Sequence, residues 1–273
     1  MDGLFVRTKR TWLAYLALGY YGYLLNALGP AMPYLRGDLH LSFAEGSLHT
    51  SAFALGMLAA GLLGDLATRR LSRRTVMAWG LGGMGAGSLL LVAGHAVVLT
   101  LTGALLMGGL GTLVLVLVPA VLADEHGTGR AVALSEANVL SSGLAMLATV
   151  LVGGLARTLL GWRGALLLGQ LLLVPLALQL RGLTSPSHTG RNGEHPLRNS
   201  LPASYWIYWA ALVCCVSLEF CMIFWSADFL HHVANVPQAP AAALVSVFLG
   251  AMLVGRIAGS RLARALPADR HTM

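Results

Sequence analysis

Eight apolar runs, each long enough to cross a bilayer as a helix, follow one another along this chain at 11–33, 43–64, 75–94, 97–122, 131–156, 163–181, 204–227 and 239–262. A helix rises about 1.5 Å per residue, so roughly 20 residues span the hydrocarbon. Inside lipid every backbone N–H and C=O must be satisfied within the protein, which leaves only helices and closed barrels. The alternating pattern of barrel strands is absent, so the fold class is all-α, a polytopic helical membrane protein with eight transmembrane helices. Charged residues make up only 11% of the chain, against about 25% in soluble domains. A soluble single domain is excluded, and no sizeable extramembrane domain fits between the runs.

The net charge of +7 would raise the question of nucleic acid in a soluble protein; here it reports orientation, and no nucleic-acid partner is expected. Placing the N-terminus in the cytoplasm puts all of the 18 Lys and Arg on the inner side except Arg36, Arg157 and Arg163, which is the positive-inside pattern. The first apolar run is longer than a signal peptide's and further spans follow at once, so it reads as a retained helix of a plasma (inner) membrane protein. Cys214, Cys215 and Cys221 share one apolar run with no metal-ligand spacing; they read as small hydrophobes, and neither a metal site nor a cofactor is expected. The stretch 182–203 is rich in Ser, Pro, Gly and Asn and reads as a flexible cytoplasmic linker. It divides an N-terminal six-helix domain (1–181) from a partial second domain of two helices (204–273).

Between the second and third runs, GLLGDLATRRLSRR from Gly61 to Arg74 places small residues, an Asp and clustered arginines at a helix end. This resembles the loop motif of the major facilitator superfamily: Gly61 and Asp65 fit, Thr68 stands where a second Gly belongs, and Arg69 and Arg70 follow. A second register starts at Gly64 and closes on Ser72, Arg73 and Arg74 with one residue inserted. Gly109 to Gly111, Pro119, Asp124 and the Gly161–Trp162–Arg163 triplet recur at the family's places. Gly255, Arg256, Gly259 and Arg261 resemble the same loop motif in the second half, as expected of repeat-built transporters. The resemblance runs from Thr11 to about Leu266. It implies a secondary active transporter that moves a small solute by alternating access, with or without proton coupling, and a cytoplasmic gate drawn from Gly61, Asp65, Arg69, Arg70, Arg73, Arg74 and Asp124, joined by Glu136. Members usually have twelve helices, so about four spans are missing and a truncated transporter is expected. Leu105 replaces the Arg many relatives carry, and Ala145, Thr149 and Val150 depart from the drug-antiporter pattern, which argues against that subclass.

Glu219 sits midway along the seventh run, where an ionisable group is costly and marks a cavity or a partner. At 100° per residue Cys215, Met222 and Ser226 share its face, while Asp228 points the opposite way. Glu219 carries a proton, or contacts a cationic or hydroxyl-bearing solute, or else stays neutral and bonds a neighbouring helix. In the first run Tyr15, Gly19, Gly22, Tyr23, Asn26 and Pro30 recur at three- and four-residue steps. The resemblance makes the first and seventh spans counterparts, so Tyr23, Asn26, Glu219 and Ser226 form the expected substrate or proton path, with helix packing as the alternative. Glu45 and His49, one turn apart, read as an ion pair or, less directly, a pH sensor. Ser135, Asn138, Ser142, Ala145 and Thr149 share a face suited to close packing. An enzyme would need a nucleophile with its base, or a metal cluster, within the spans; neither is seen. The remaining alternative is a non-transporting remnant or assembly partner in the bilayer.

Overall fold

The computed structural model describes residues 6–181 and 203–265, with backbone alone at 65–69, 203 and 259–265. The linker expected at 182–203 therefore lies almost wholly outside the described residues, as do the side chains of Asp65 and Arg69. Regular structure among the described residues is helical throughout. In chain order the helices are α1 (Lys9–Leu39), α2 (Phe43–Arg70), α3 (Arg73–Ala93), α4 (Val97–His126), α5 (Arg130–Leu155), α6 (Gly161–Gln170), α7 (Leu173–Arg181), α8 (Ala203–His232) and α9 (Gln238–Ala265).

Seven of the eight apolar runs are single helices, most of them longer than the runs because their polar ends continue past the apolar core. The sixth run differs: it breaks at Leu171–Leu172 into α6 and α7. Pro175 has no N–H to give to the Leu171 carbonyl, and its ring crowds that carbonyl. The chain tightens instead, with Leu171 N–H donating to Leu168 O and Leu172 N–H to Gly169 O, each at 3.1 Å. Pro30 and Pro33 in α1 and Pro119 in α4 are carried inside continuous helices, which neighbouring helices make tolerable in a membrane bundle.

By length and hydropathy, six stretches among the described residues qualify as membrane-crossing, and one of them, Val97–Leu155, contains both α4 and α5. The central helix α1 is not among them, because Gly, Tyr, Asn and Pro dilute its apolar character. It nonetheless touches every other helix and is buried almost all round from Leu13 to Pro33. Helices approach closely where glycines meet: a Cβ on Gly87 of α3 would lie 2.5 Å from the Gly103 carbonyl of α4. Gly29 of α1 likewise faces the backbone carbonyl of Ile223 in α8, with no room for a side chain. The final pair, α8 and α9, packs on α1 and α5, and much of α8 is left exposed.

Candidate functional site

The bundle has an arginine-rich end and an opposite end, and ion pairs occur at both and between them. At the arginine-rich end, α4 finishes in Asp124–Glu125–His126, and Gly127 adopts φ +51°, a conformation glycine favours, to stop it. Arg73, opening α3, pairs with Asp124. Thr8, the N-cap of α1, donates its hydroxyl to Glu125 at 2.8 Å, Arg10 lies 3.5 Å from the same carboxylate, and the Thr11 hydroxyl meets His126 Nε2 at 2.8 Å. Glu136 of α5 accepts from Arg7 at 2.7 and 2.9 Å and from the Tyr15 hydroxyl at 2.9 Å. Arg7's own hydrogen bonding to Glu136 and that carboxylate's charge raise its pKa further. Glu136 thus holds the N-terminal segment, a partner not foreseen for it. Gly61 has open space around it, and Arg70 and Arg74 are exposed.

At the opposite end Gly161 opens α6 at φ +59°, so that the next two side chains turn back onto α1. Trp162 Nε1 donates to Asp38 at 2.9 Å, and Arg163 gives Nη1 to Asp38 at 2.5 Å and Nε to the Val92 carbonyl at 3.0 Å. The Gly–Trp–Arg triplet is therefore a staple among α1, α3 and α6. Arg36, near the end of α1, donates to Asp228 of α8 at 2.7 Å. The pair is buried, with side chains 11% and 6% exposed. The Arg36 guanidinium lies 3.5 Å from the centre of the Phe43 ring, and His232 stands 3.7 Å from Asp228 on the same helix. The expected Glu45–His49 ion pair is not formed. Glu45 caps its own helix, accepting from Ser42 N–H and hydroxyl at 2.8 Å. The Ser–x–x–Glu spacing is a capping box. The His49 ring is buried against Thr100 at 2.8 Å.

Between the two ends lies the contact that concerns function most. Arg256 of α9 donates Nη1 to the Ser142 hydroxyl of α5 at 2.9 Å and brings Nη2 to 3.6 Å from Glu219 of α8. Glu219 and Arg256 are 31% and 41% exposed. Both belong to runs otherwise apolar enough to cross a membrane. Arg256, read as a cytoplasmic flanking charge, stands nine residues before the end of α9 and reaches Ser142 and Glu219 within the bundle. Ser142, read as a packing residue, is its acceptor. The missed signal is an Arg embedded in GAMLVGRIAG, with apolar and small residues on both sides.

The other expected path residues are placed apart from this contact. The Tyr23 hydroxyl donates to the Ala165 carbonyl of α6 at 2.7 Å. Ser226 bonds the Met222 sulfur one turn back at 3.8 Å. Asn26 donates to the Gly22 carbonyl at 2.8 Å, while its Oδ1 is buried with no partner. It lies on the α1 stripe between Gly22, which faces Ser141 of α5, and Gly29, which faces α8.

The sequence profile described as Major Facilitator Superfamily matches residues 12–272. The chain belongs to this superfamily. A search of curated proteins finds no match. Among solved structures, the chain is similar to the crystal structure of a D-xylose-proton symporter, with a TM-score of 0.68 at 12% identity, over 90% of this chain and 66% of the symporter. At that identity the likeness concerns the fold. The superfamily chain described here is thus an integral membrane protein, and it spans 66% of the symporter's length.

Proposed function

We propose that this chain works in proton-coupled alternating access of a small solute across the plasma membrane, and that the Glu219–Arg256–Ser142 contact is the element that responds to solute and proton. The observation that carries this reading is the contact itself. It joins α8 and α9 to α5 through charged groups at membrane depth, where such groups are retained for a pathway or a relay. Asn26, with its buried free acceptor, lies on the neighbouring stripe of α1. Tyr23 and Ser226 complete the proposed path as second-rank members, since their hydroxyls already have acceptors within the bundle.

On this reading Arg36–Asp228 closes the outer ends of α1 and α8, while the inner-end pair of Arg73 and Asp124, together with the gate residues expected from the loop motif, Gly61, Asp65, Arg69, Arg70 and Arg74, governs the cytoplasmic gate. The final helix pair then rocks against the first seven helices about a level near Glu219. The symporter is longer than this chain, and a full cycle on its architecture uses the counterparts of its remaining helices; sequencing the gene past the codon for Met273 tells whether they follow.

The test is uptake by proteoliposomes carrying the chain, under an inward proton gradient, with D-xylose as the first solute offered and other small solutes after it. Uptake that collapses with the gradient and loses its pH dependence in Glu219→Gln is the expected result. Flux that ignores both overturns the role of Glu219. No flux of any solute overturns transport by this chain.

A further inference from the structure

The geometry around Arg256 says what kind of solute such a site takes. A guanidinium carries five N–H donors in a rigid fork that suits carboxylate oxygens. One of them is engaged by Ser142 at 2.9 Å. Glu219, at 3.6 Å, is close enough to neutralise the charge but beyond hydrogen-bond distance. A committed structural pair looks different in this same molecule: Arg36 and Asp228 are in direct contact at 2.7 Å and nearly sealed. Arg256 is held at one corner, is 41% exposed, and presents unused donors beside a carboxylate that sets its net charge.

Resting on the transporter reading above, we propose that Arg256 is the anion-binding group of this site and Glu219 the group whose protonation frees it, so that the solute is a small carboxylate-bearing anion taken up together with one proton. With Glu219 ionised, the site is neutral overall and a second carboxylate meets like-charge repulsion. With Glu219 protonated, Arg256 is an unneutralised cation at membrane depth, and an entering carboxylate restores neutrality with paired hydrogen bonds. One proton goes onto Glu219 and one anion onto Arg256, so the loaded site carries no added charge. By linkage, placing a proton on Glu219 raises anion affinity, and bound anion favours the protonated carboxyl by the same factor.

Other groups that bear on Glu219 do not replace this role. The helices packed on α8 are α1 and α9, with α2 meeting it through Phe53 on Phe224 and Phe43 on His232, neither of which brings a charge to Glu219. From α1, the Tyr21 phenol is near enough to feel the Glu219 charge; from α9 comes Arg256 itself. On α8, the Cys215 thiol lies one turn away. Neither the phenol nor the thiol carries a positive charge for an anion to meet.

The experiment is calorimetric binding of lactate to the purified full chain in detergent, between pH 5 and pH 8, with the neutral ester methyl lactate as control. Lactate affinity should weaken as pH rises, approaching about tenfold per pH unit, as a one-proton linkage requires, with one proton taken up per anion bound. Glu219→Gln should hold lactate at the acid-side affinity across the whole range. Arg256→Gln should lose lactate at every pH, and Arg256→Lys, which keeps the charge but not the fork, should recover part of it, which separates lost binding from lost folding. Methyl lactate bound as well as lactate, a flat pH profile in the wild type, or lactate binding unaffected by Arg256→Gln would each overturn the assignment. If lactate does not bind while proton-driven D-xylose uptake occurs, the anion assignment falls and the transporter reading stands. If lactate binds with this dependence yet never crosses the bilayer, the assignment stands and the transporter reading falls.

Discussion

Helices α1 and α8 are near-equals in length, 31 and 30 residues, and meet at Gly29 and Ile223, yet their surroundings are opposite. α1 is ringed by protein and rich in Tyr, Gly, Asn and Pro, while α8 is the more apolar and the more exposed. In water the more apolar helix is the more buried. In a bilayer the order inverts, because lipid tails satisfy Leu and Val as well as a core does, and groups that lipid cannot satisfy are turned toward other helices. Between these two helices the more apolar therefore lies outside, and α1, too polar to qualify as membrane-crossing by hydropathy, is the centre.

Four substitutions break or sharpen that contrast. The largest effect is expected where α8 departs from its own rule, at buried Asp228. Asp228→Asn leaves the Arg36 guanidinium buried without its counter-charge and should cost about 3–5 kcal/mol, read as a lowered unfolding midpoint in SDS titration. The apolar pair Arg36→Met with Asp228→Leu should recover most of it, and a double variant as unstable as the single one would refute the ion-pair account. Next, Leu28→Ala on α1 empties a site that is 1% exposed and should cost about 2–5 kcal/mol by the same titration. Tyr23→Phe removes the bond to the Ala165 carbonyl and should cost about 1 kcal/mol, seen as earlier hydrogen exchange in α6. The smallest effect belongs to Leu218→Ala on α8, a side chain 68% exposed, expected to stay within about 0.5 kcal/mol. If Leu218→Ala costs as much as Leu28→Ala, the face of α8 taken as lipid-facing is covered by protein, and the contrast between the two helices fails.

How far the fold was legible follows from the same physics. The apolar runs announced the helices because crossing length is imposed by the bilayer and not by neighbours. The split of the sixth run turned on Pro175, which reads as a tolerated membrane proline until its i−4 carbonyl is considered. Glu45 and His49 share a helix face, but their real partners, Ser42 and Thr100, were a capping signal overlooked and a residue fifty-one positions away. The site was legible only in part. Glu219 stood out as a carboxylate in an apolar run, whereas Arg256 resembled a loop arginine and was assigned to the membrane surface. Arg36 with Asp228, and Arg256 with Ser142, are pairings between distant runs, and no local pattern encodes which run faces which.

The Gly29–Ile223 approach has a mechanical consequence. Backbone rests on backbone there, with no side chain interposed, so α1 and α8 can roll on that point without unlocking interdigitated groups. Along α8 it stands four residues from Glu219 and five from Asp228, arms of about 6 Å and 7.5 Å at 1.5 Å per residue. In the proposed rocking motion it serves as a fulcrum under a nearly balanced lever: prising Asp228 from Arg36 at one end would move the Glu219 level the other way by almost the same distance.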